Sequence, residues 1–106
     1  MTKEQLKKFR TALIRSCNAW IKAGYKLNTG TYDYCPIDIL TRKVPDKSLS
    51  FPERLTRRLG FLVSEKDVYS FVCGFDGITG LDKRIGTIVN NAFLLGRELR
   101  KKYGIK

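Results

Sequence analysis

The sequence predicts an all-α fold: a compact bundle of about four to five helices, with two long ones at the termini. Three observations carry that reading. Apolar residues return every three or four positions near both ends of the chain. Ser and Thr sit at would-be helix starts, with Gln or Glu three residues on. Glycines follow the ends of the apolar stripes. The expected exception is a short hairpin or irregular loop near 25–35. The 106 residues, 42% apolar and 11% aromatic, suffice for one domain, 1–106, with its own core. Its apolar positions are periodic rather than sparse, which separates the chain from a disordered polyelectrolyte.

The first helix is expected from about Thr2 to Gly24. Thr2 is its N-cap and Gln5 completes a capping box. Leu6, Phe9, Leu13, Cys17 and Trp20 form the buried stripe, flanked by Ile14 and Ile21. Beyond Gly24 the period breaks. Asn28-Thr29-Gly30 signals a turn, and Tyr32 and Tyr34 alternate around Asp33. Cys35-Pro36 opens a short helix to about Arg42, with Pro at the first helical position. Pro45 and Asp46-Lys47-Ser48 make the next connection. Ser50-Phe51-Pro52-Glu53 then starts a helix that ends at Leu59-Gly60.

Ser64-Glu65-Lys66-Asp67 repeats the start signal, and Val68, Phe71 and Val72 carry that helix to about Cys73. Gly74 reads as its left-handed cap, with Phe75 folding back as the apolar partner. A loop from Gly74 to Gly80 follows. The last helix is expected from about Leu81 to Tyr103. Ile85, Ile88, Ala92, Leu95, Leu99 and Tyr103 form its stripe, widened by Val89 and Phe93. The first and last helices are expected to pack together as the frame.

Charge points to function. Twenty-one Lys and Arg face ten Asp and Glu, a net +11, and there is no histidine. No imidazole can titrate away the excess near neutral pH. So much self-repulsion in a small chain implies a polyanionic partner. The missing histidine also removes Ser-His and Cys-His pairs and every His metal site.

The placement of the cations divides the excess into patches. On the first helix Lys8, Arg15 and Lys22 stand seven apart, and Lys26 extends this rail opposite the apolar stripe. Arg54, Arg57 and Arg58 form a second cluster, with Arg42, Lys43 and Lys47 just before it. The last helix ends in Arg97, Arg100, Lys101 and Lys102, which also suits its dipole. Phosphate contacts through such rails are independent of sequence and steeply salt-dependent. Tyr25, Tyr32 and Tyr34, beside Lys22 and Lys26, are candidates to stack on unpaired bases. Alternatively they close the core with their hydroxyls in water.

Two stretches carry resemblances. Leu55 to Ser64, followed by Val68 and Phe71, resembles the helix-turn-helix layout of bacterial DNA-binding domains. Its connection is a residue or two long, and the would-be recognition helix begins Glu65-Lys66-Asp67, whose carboxylates repel phosphate. Gly77-Ile78-Thr79-Gly80 followed by Lys83, Arg84 and Ile85 resembles helix-hairpin-helix modules. That resemblance implies backbone amides offered to a phosphate at a helix start, assisted by Lys83 and Arg84. Here the glycines are separated by one residue more than in the family, and Asp76 adds a negative charge. No Walker sequence is present, because Gly80 is not followed by Lys-Ser or Lys-Thr.

Cys35, at the cap position before Pro36, is the candidate nucleophile, where a helix dipole lowers a thiol pKa. Asp33 and Asp38 oppose that effect and no base is there to pair with it. Asp33, Asp38, Asp76 and Asp82 are scattered, without the paired spacing that gathers Mg²⁺. Cys17, Cys35 and Cys73, odd in number and without Cys-x-x-Cys, read as reduced thiols packed as small apolar groups. A zinc site would need a fourth ligand. No run of about 18 apolar residues exists. The N-terminal pattern is amphipathic rather than that of a signal peptide, so a cytoplasmic location is expected.

The expectation is therefore a non-catalytic protein, without cofactor or metal, that binds nucleic acid of unspecified type. Lys8, Arg15, Lys22, Lys26, Arg54, Arg57 and Arg58 would contact phosphates, with Lys83 and Arg84 at the glycine loop. The alternative partner is an acidic protein surface. In size, and in lacking a catalytic set, the chain resembles small accessory proteins of phages and mobile elements that bind host machinery.

Overall fold

Helix α1, Lys3–Lys22, starts on the box encoded at Thr2. The Gln5 N–H donates to the Thr2 hydroxyl at 3.1 Å, and the Thr2 N–H donates to the Gln5 side-chain oxygen at 3.0 Å. The computed structural model describes residues 1–28, 34–44, 46–78, 81–82, 86–87 and 90–105. Within them lie five helices and one pair of two-residue strands. Helix α2 is Pro36–Thr41, α3 Phe51–Leu59, α4 Glu65–Asp76 and α5 Asn91–Lys102. Strands β1, Leu81–Asp82, and β2, Gly86–Thr87, pair antiparallel. The expected all-α bundle is what forms. Residues 29–33 of the expected hairpin or loop near 25–35, Tyr32 among them, lie outside the described residues.

The start signals at α2, α3 and α4 work by the same chemistry. The Cys35 thiol accepts from the Asp38 N–H at 3.5 Å, and Ser50 and Glu53 reciprocate as a capping box. Ser64 accepts from the Asp67 N–H at 3.1 Å. Between α3 and α4 the connection spans residues 60–64, longer than the residue or two expected. Thr56 organises it: its hydroxyl donates to the Pro52 carbonyl at 2.8 Å and accepts from the Val63 N–H at 2.9 Å. A buried backbone donor that would otherwise be orphaned is thereby satisfied.

The core collects one face of every helix. Phe9 and Leu13 of α1, Ile37 and Leu40 of α2, and Leu55 of α3 are fully buried. Phe9 meets Phe71 of α4 with ring centroids 5.5 Å apart. Trp20, placed in that core by its period, is only partly buried and lies outside it.

Two elements differ from expectation at the C-terminal half. Gly74 does not cap α4 but lies inside it, and the left-handed residue is Gly77, at φ 76°. Gly74 is needed for proximity instead. A Cβ there would stand 2.1 Å from the Phe93 carbonyl oxygen of α5. Gly96 answers from α5, where a Cβ would stand 2.2 Å from the Phe71 carbonyl oxygen. The backbones of α4 and α5 thus pack in direct contact, which side chains at these positions forbid.

Helix α5 begins ten residues later than the period suggested, at Asn91 rather than Leu81. Asn90 is the true cap, accepting from the Phe93 N–H at 3.0 Å. The stretch before it holds Gly86 and the β-branched run Thr87-Ile88-Val89, poor helix formers whose spacing happened to fit the stripe. The expected frame also changes partners: α5 packs chiefly on α4. Besides the core it shares with α1, polar contacts join it to that end of the chain: Asn91 to the Met1 carbonyl (3.0 Å), Arg10 to Glu98 (2.7 Å) and Tyr103 to Asn18 (2.8 Å). Their order shows α1 and α5 running parallel.

The glycine crossing yields a signed expectation. Gly→Ala within a helix normally stabilises by about 1 kcal/mol. Here Gly96→Ala should instead destabilise by about 2 kcal/mol, because a backbone must move. Urea titration with far-ultraviolet circular dichroism measures it, and a gain in stability would contradict the close packing.

Candidate nucleic-acid interface

A trough runs along α1, built from three open clefts that share their boundary residues. The first, about 600 Å³, is bordered by Lys7, Lys8, Arg15 and Arg58, with Glu4 at its end. The second, about 440 Å³, shares Arg15 and Arg58 and adds Arg42 and Lys43. The third, about 480 Å³, shares Trp20 and Arg42 with the second and adds Tyr25, Lys26, Asn28 and Tyr34. Ala12, Ser16 and Ala19 of α1, and Ala23 at its C-cap, lie along the first two clefts. Their short side chains keep that stretch open while the long cations stand beside it.

The lining is almost entirely of one sign. Seven cations border the three clefts against one carboxylate, Glu4. Among the described residues, ion pairs join Met1 to Asp67, Arg10 to Glu98 and Arg42 to Asp38. Lys7, Lys8, Arg15, Lys26, Lys43 and Arg58 have none there. The Nε of Arg58 is buried and without a hydrogen-bond partner, so packing rather than a carboxylate holds that guanidinium.

The rail expected on α1 is therefore partly assembled and partly divided. Lys8 and Arg15 meet Arg58 in one cleft, and Lys26 borders another. Lys22 is exposed on α1 but borders none of the three. The Arg54 cluster splits by helical angle. Arg58 joins the trough, whereas the Arg54 Nε donates to the Asp46 carbonyl at 3.1 Å. Arg57 faces Asp46 and Glu53, helping to hold both carboxyls below their usual range, after the larger effect of hydrogen bonds from Ser48 and Ser50. On α5, Arg100 donates to the Phe75 carbonyl at 2.7 Å, closing the end of α4. Lys83 and Arg84 lie outside the described residues. The helix that the glycine loop was expected to precede is absent there, since Leu81–Asp82 is a strand. The Gly77 and Ile78 N–H groups are already bonded to the Gly74 and Cys73 carbonyls.

One end of the trough is aromatic. Gly24, at φ 95°, terminates α1 in a Schellman motif: its N–H bonds the Ile21 carbonyl, and the Tyr25 N–H bonds the Trp20 carbonyl. That motif brings its two flanking side chains together, and Tyr25 stacks on Trp20 with centroids 4.4 Å apart. Tyr34 stacks on the same indole at 5.7 Å. The Arg42 guanidinium lies 5.1 Å from the Trp20 ring and 5.2 Å from that of Tyr34. Asp38 orients it through two bonds to one carboxylate oxygen, at 3.0 and 3.3 Å. Trp20, Arg42, Lys43 and Lys7 were absent from the expected contact set. The spacing Trp20 to Gly24-Tyr25 was the available signal, because it is the spacing of the Schellman contact.

Cys35 is not an activated nucleophile. Burial pushes its thiol up to about 11, outweighing hydrogen bonds from the Asp38 and Ile37 amides. Burial likewise takes Cys17 up to about 12. Asp38 is committed to Arg42 and to the Tyr34 N–H at 2.8 Å. Among the described residues no three His, Cys, Asp or Glu side chains gather as metal ligands, and no helix is long and apolar enough to cross a membrane. In comparisons with known proteins, the chain matches no family model, no curated protein and no solved structure.

The raised thiols, and Tyr103 raised by burial to about 12, set an alkaline limit. Each group holds its proton more tightly folded than unfolded. The stability it contributes is complete below the unfolded thiol pKa near 9 and is lost as pH rises through the folded values. Urea midpoints should fall steadily between pH 9 and 11 after changing little from pH 7 to 8.5. A thiol reagent at pH 8 should label Cys17 and Cys35 only after denaturation.

Proposed function

We propose that this protein binds nucleic acid without catalysing its breakdown, laying the phosphate backbone along the α1 trough. The observation that carries this reading is the run of seven cations with one carboxylate along three adjoining clefts. Unpaired lysines and arginines close together repel one another and lower stability. A polyanion relieves that repulsion and releases its own counterions. Lys8, Arg15, Arg58, Arg42, Lys43, Lys7 and Lys26 are the contacts proposed. An acidic protein surface would satisfy the same charges, but it has no evident use for the aromatic end. Without histidine, and with the Cys17 and Cys35 thiols raised by burial, no Ser-His or Cys-His pair forms, which favours binding over chemistry.

Fluorescence anisotropy with labelled oligonucleotides over a range of salt tests the reading. A log–log slope of roughly −3 to −6 is expected, from several displaced counterions. Arg58→Gln or Arg15→Gln should shallow that slope by about 1, while Arg57→Gln, facing Asp46 and Glu53, should leave it unchanged. No binding of any strand at low salt would sink the proposal.

A further inference from the structure

The aromatic end of the trough has features that phosphate binding does not require. Tyr25 and Tyr34 are 57% and 42% exposed, although each ring stacks on Trp20. Neither belongs to the core. Tyr34 is also the non-glycine residue that sits at positive φ, 65°, among the described residues. A bulky side chain is unfavourable in this left-handed region, and the Asp38 carboxylate fixes the strained peptide through the Tyr34 N–H. Strain of this kind accumulates where a side chain must be held ready for use. The cleft beside these rings, about 480 Å³, is of the size that holds a nucleotide-sized ligand. Its rim carries Lys26 and Arg42 for a phosphate, and Asn28, whose amide offers both donors and an acceptor.

Resting on the phosphate reading above, we infer that the protein's ligand is single-stranded nucleic acid, one of whose unpaired bases enters the cleft formed by Trp20, Tyr25, Tyr34 and Arg42. The base stacks on the exposed tyrosine faces, the neighbouring phosphates meet Lys26 and Arg42, and the strand continues along α1 toward Arg15 and Arg58. A duplex keeps its bases stacked and paired, so it offers this cleft no face to bind. Sugar chemistry is not what the cleft selects on: the attraction is to the π-face that DNA and RNA bases share.

Trp20 is the sole tryptophan of the chain, so the indole emission comes from this end of the trough, and the abasic strand controls for phosphate passing its other edge. Four ligands of equal length separate the possibilities: a DNA strand, the RNA strand of the same sequence, the duplex, and an abasic strand carrying the same phosphates. Quenching of Trp20 by the DNA or the RNA strand, with none by the duplex or the abasic strand, is the expected result. The base-bearing strand should bind between about fivefold and about a hundredfold more tightly than the abasic one. Tyr34→Asn, which tolerates the left-handed backbone but lacks a ring, should remove most of that advantage. It should leave abasic binding nearly unchanged and should not lower the urea midpoint, since backbone strain is relieved, and Tyr34→Phe should keep the advantage. Equal affinity for base-bearing and abasic strands with unmoved emission overturns the inference while the phosphate reading stands. Equal quenching by the duplex also overturns it. Failure of every strand to bind overturns both.

Discussion

The contact between α4 and α5 constrains everything else in the molecule. Two glycines, Gly74 and Gly96, let the backbones touch where any side chain would collide with a carbonyl oxygen or an amide of the other helix. Helices that close interlock along their length, and the pair becomes a rigid slab. Phe71 and Phe75 project from it with nearly parallel rings, 6.2 Å apart, and Phe71 receives Phe9 of α1. Because α4 already covers α5, α1 does not have to. It shares the core with α5, ties to it through Arg10–Glu98 and Tyr103–Asn18, and turns its small residues toward α2 and α3.

That division of labour explains why the excess charge can gather. Several cations are spent on structure: Arg10 on Glu98, Arg100 on the end of α4, Arg54 on the Asp46 carbonyl and, within the groove, Arg42 on Asp38. Six of the cations without an ion pair among the described residues border the groove between α1 and its short neighbours, while others such as Lys22 and Arg97 lie outside it. Surface ion pairs add little stability, so withholding carboxylates from this groove costs the fold little. What it creates is a field of one sign over a channel with an apolar, stacked end.

The local chemistry of the helices was legible because caps and stops are written in adjacent residues. Thr2 with Gln5, Ser50 with Glu53, Pro36 after Cys35, and Gly24 and Gly60 all act as their types dictate. What the sequence hid depends on neighbours distant along the chain. Gly74 looks like a stop signal, and only the presence of Phe93 across the gap reveals it as a contact residue. The helical period continued by Ile85, Ile88 and Val89 runs through a stretch where Leu81–Asp82 and Gly86–Thr87 pair as strands, and Gly86 and Thr87 disfavour a helix. In the site, Lys8, Arg15 and Lys26 could be read from one helix face. The assignment of Arg58, and not Arg54 or Arg57, required knowing the angle at which α3 meets α1. Trp20 was misplaced because a period of three or four cannot distinguish the last turn of a buried stripe from a ring that leaves the core at the helix end.

The Schellman turn at Gly24 has a consequence for how the molecule loosens. All four groups around the aromatic cleft lie between residues 20 and 42, and their tethers are short-range: Tyr25 to Trp20, the Trp20 indole N–H to the Lys26 carbonyl at 3.0 Å, Tyr34 and Arg42 to Asp38. None of these bonds crosses to α4 or α5. The polar tethers of the cleft are thus local, and what ties this segment to α4 and α5 is the shared apolar core, through Cys35, Ile37 and Leu40. Amide exchange would register the Tyr25 and Tyr34 amides on a different clock from those of α4. Substitutions that retune the cleft's rim leave that shared core intact, whereas those at Ile37 or Leu40 reach both.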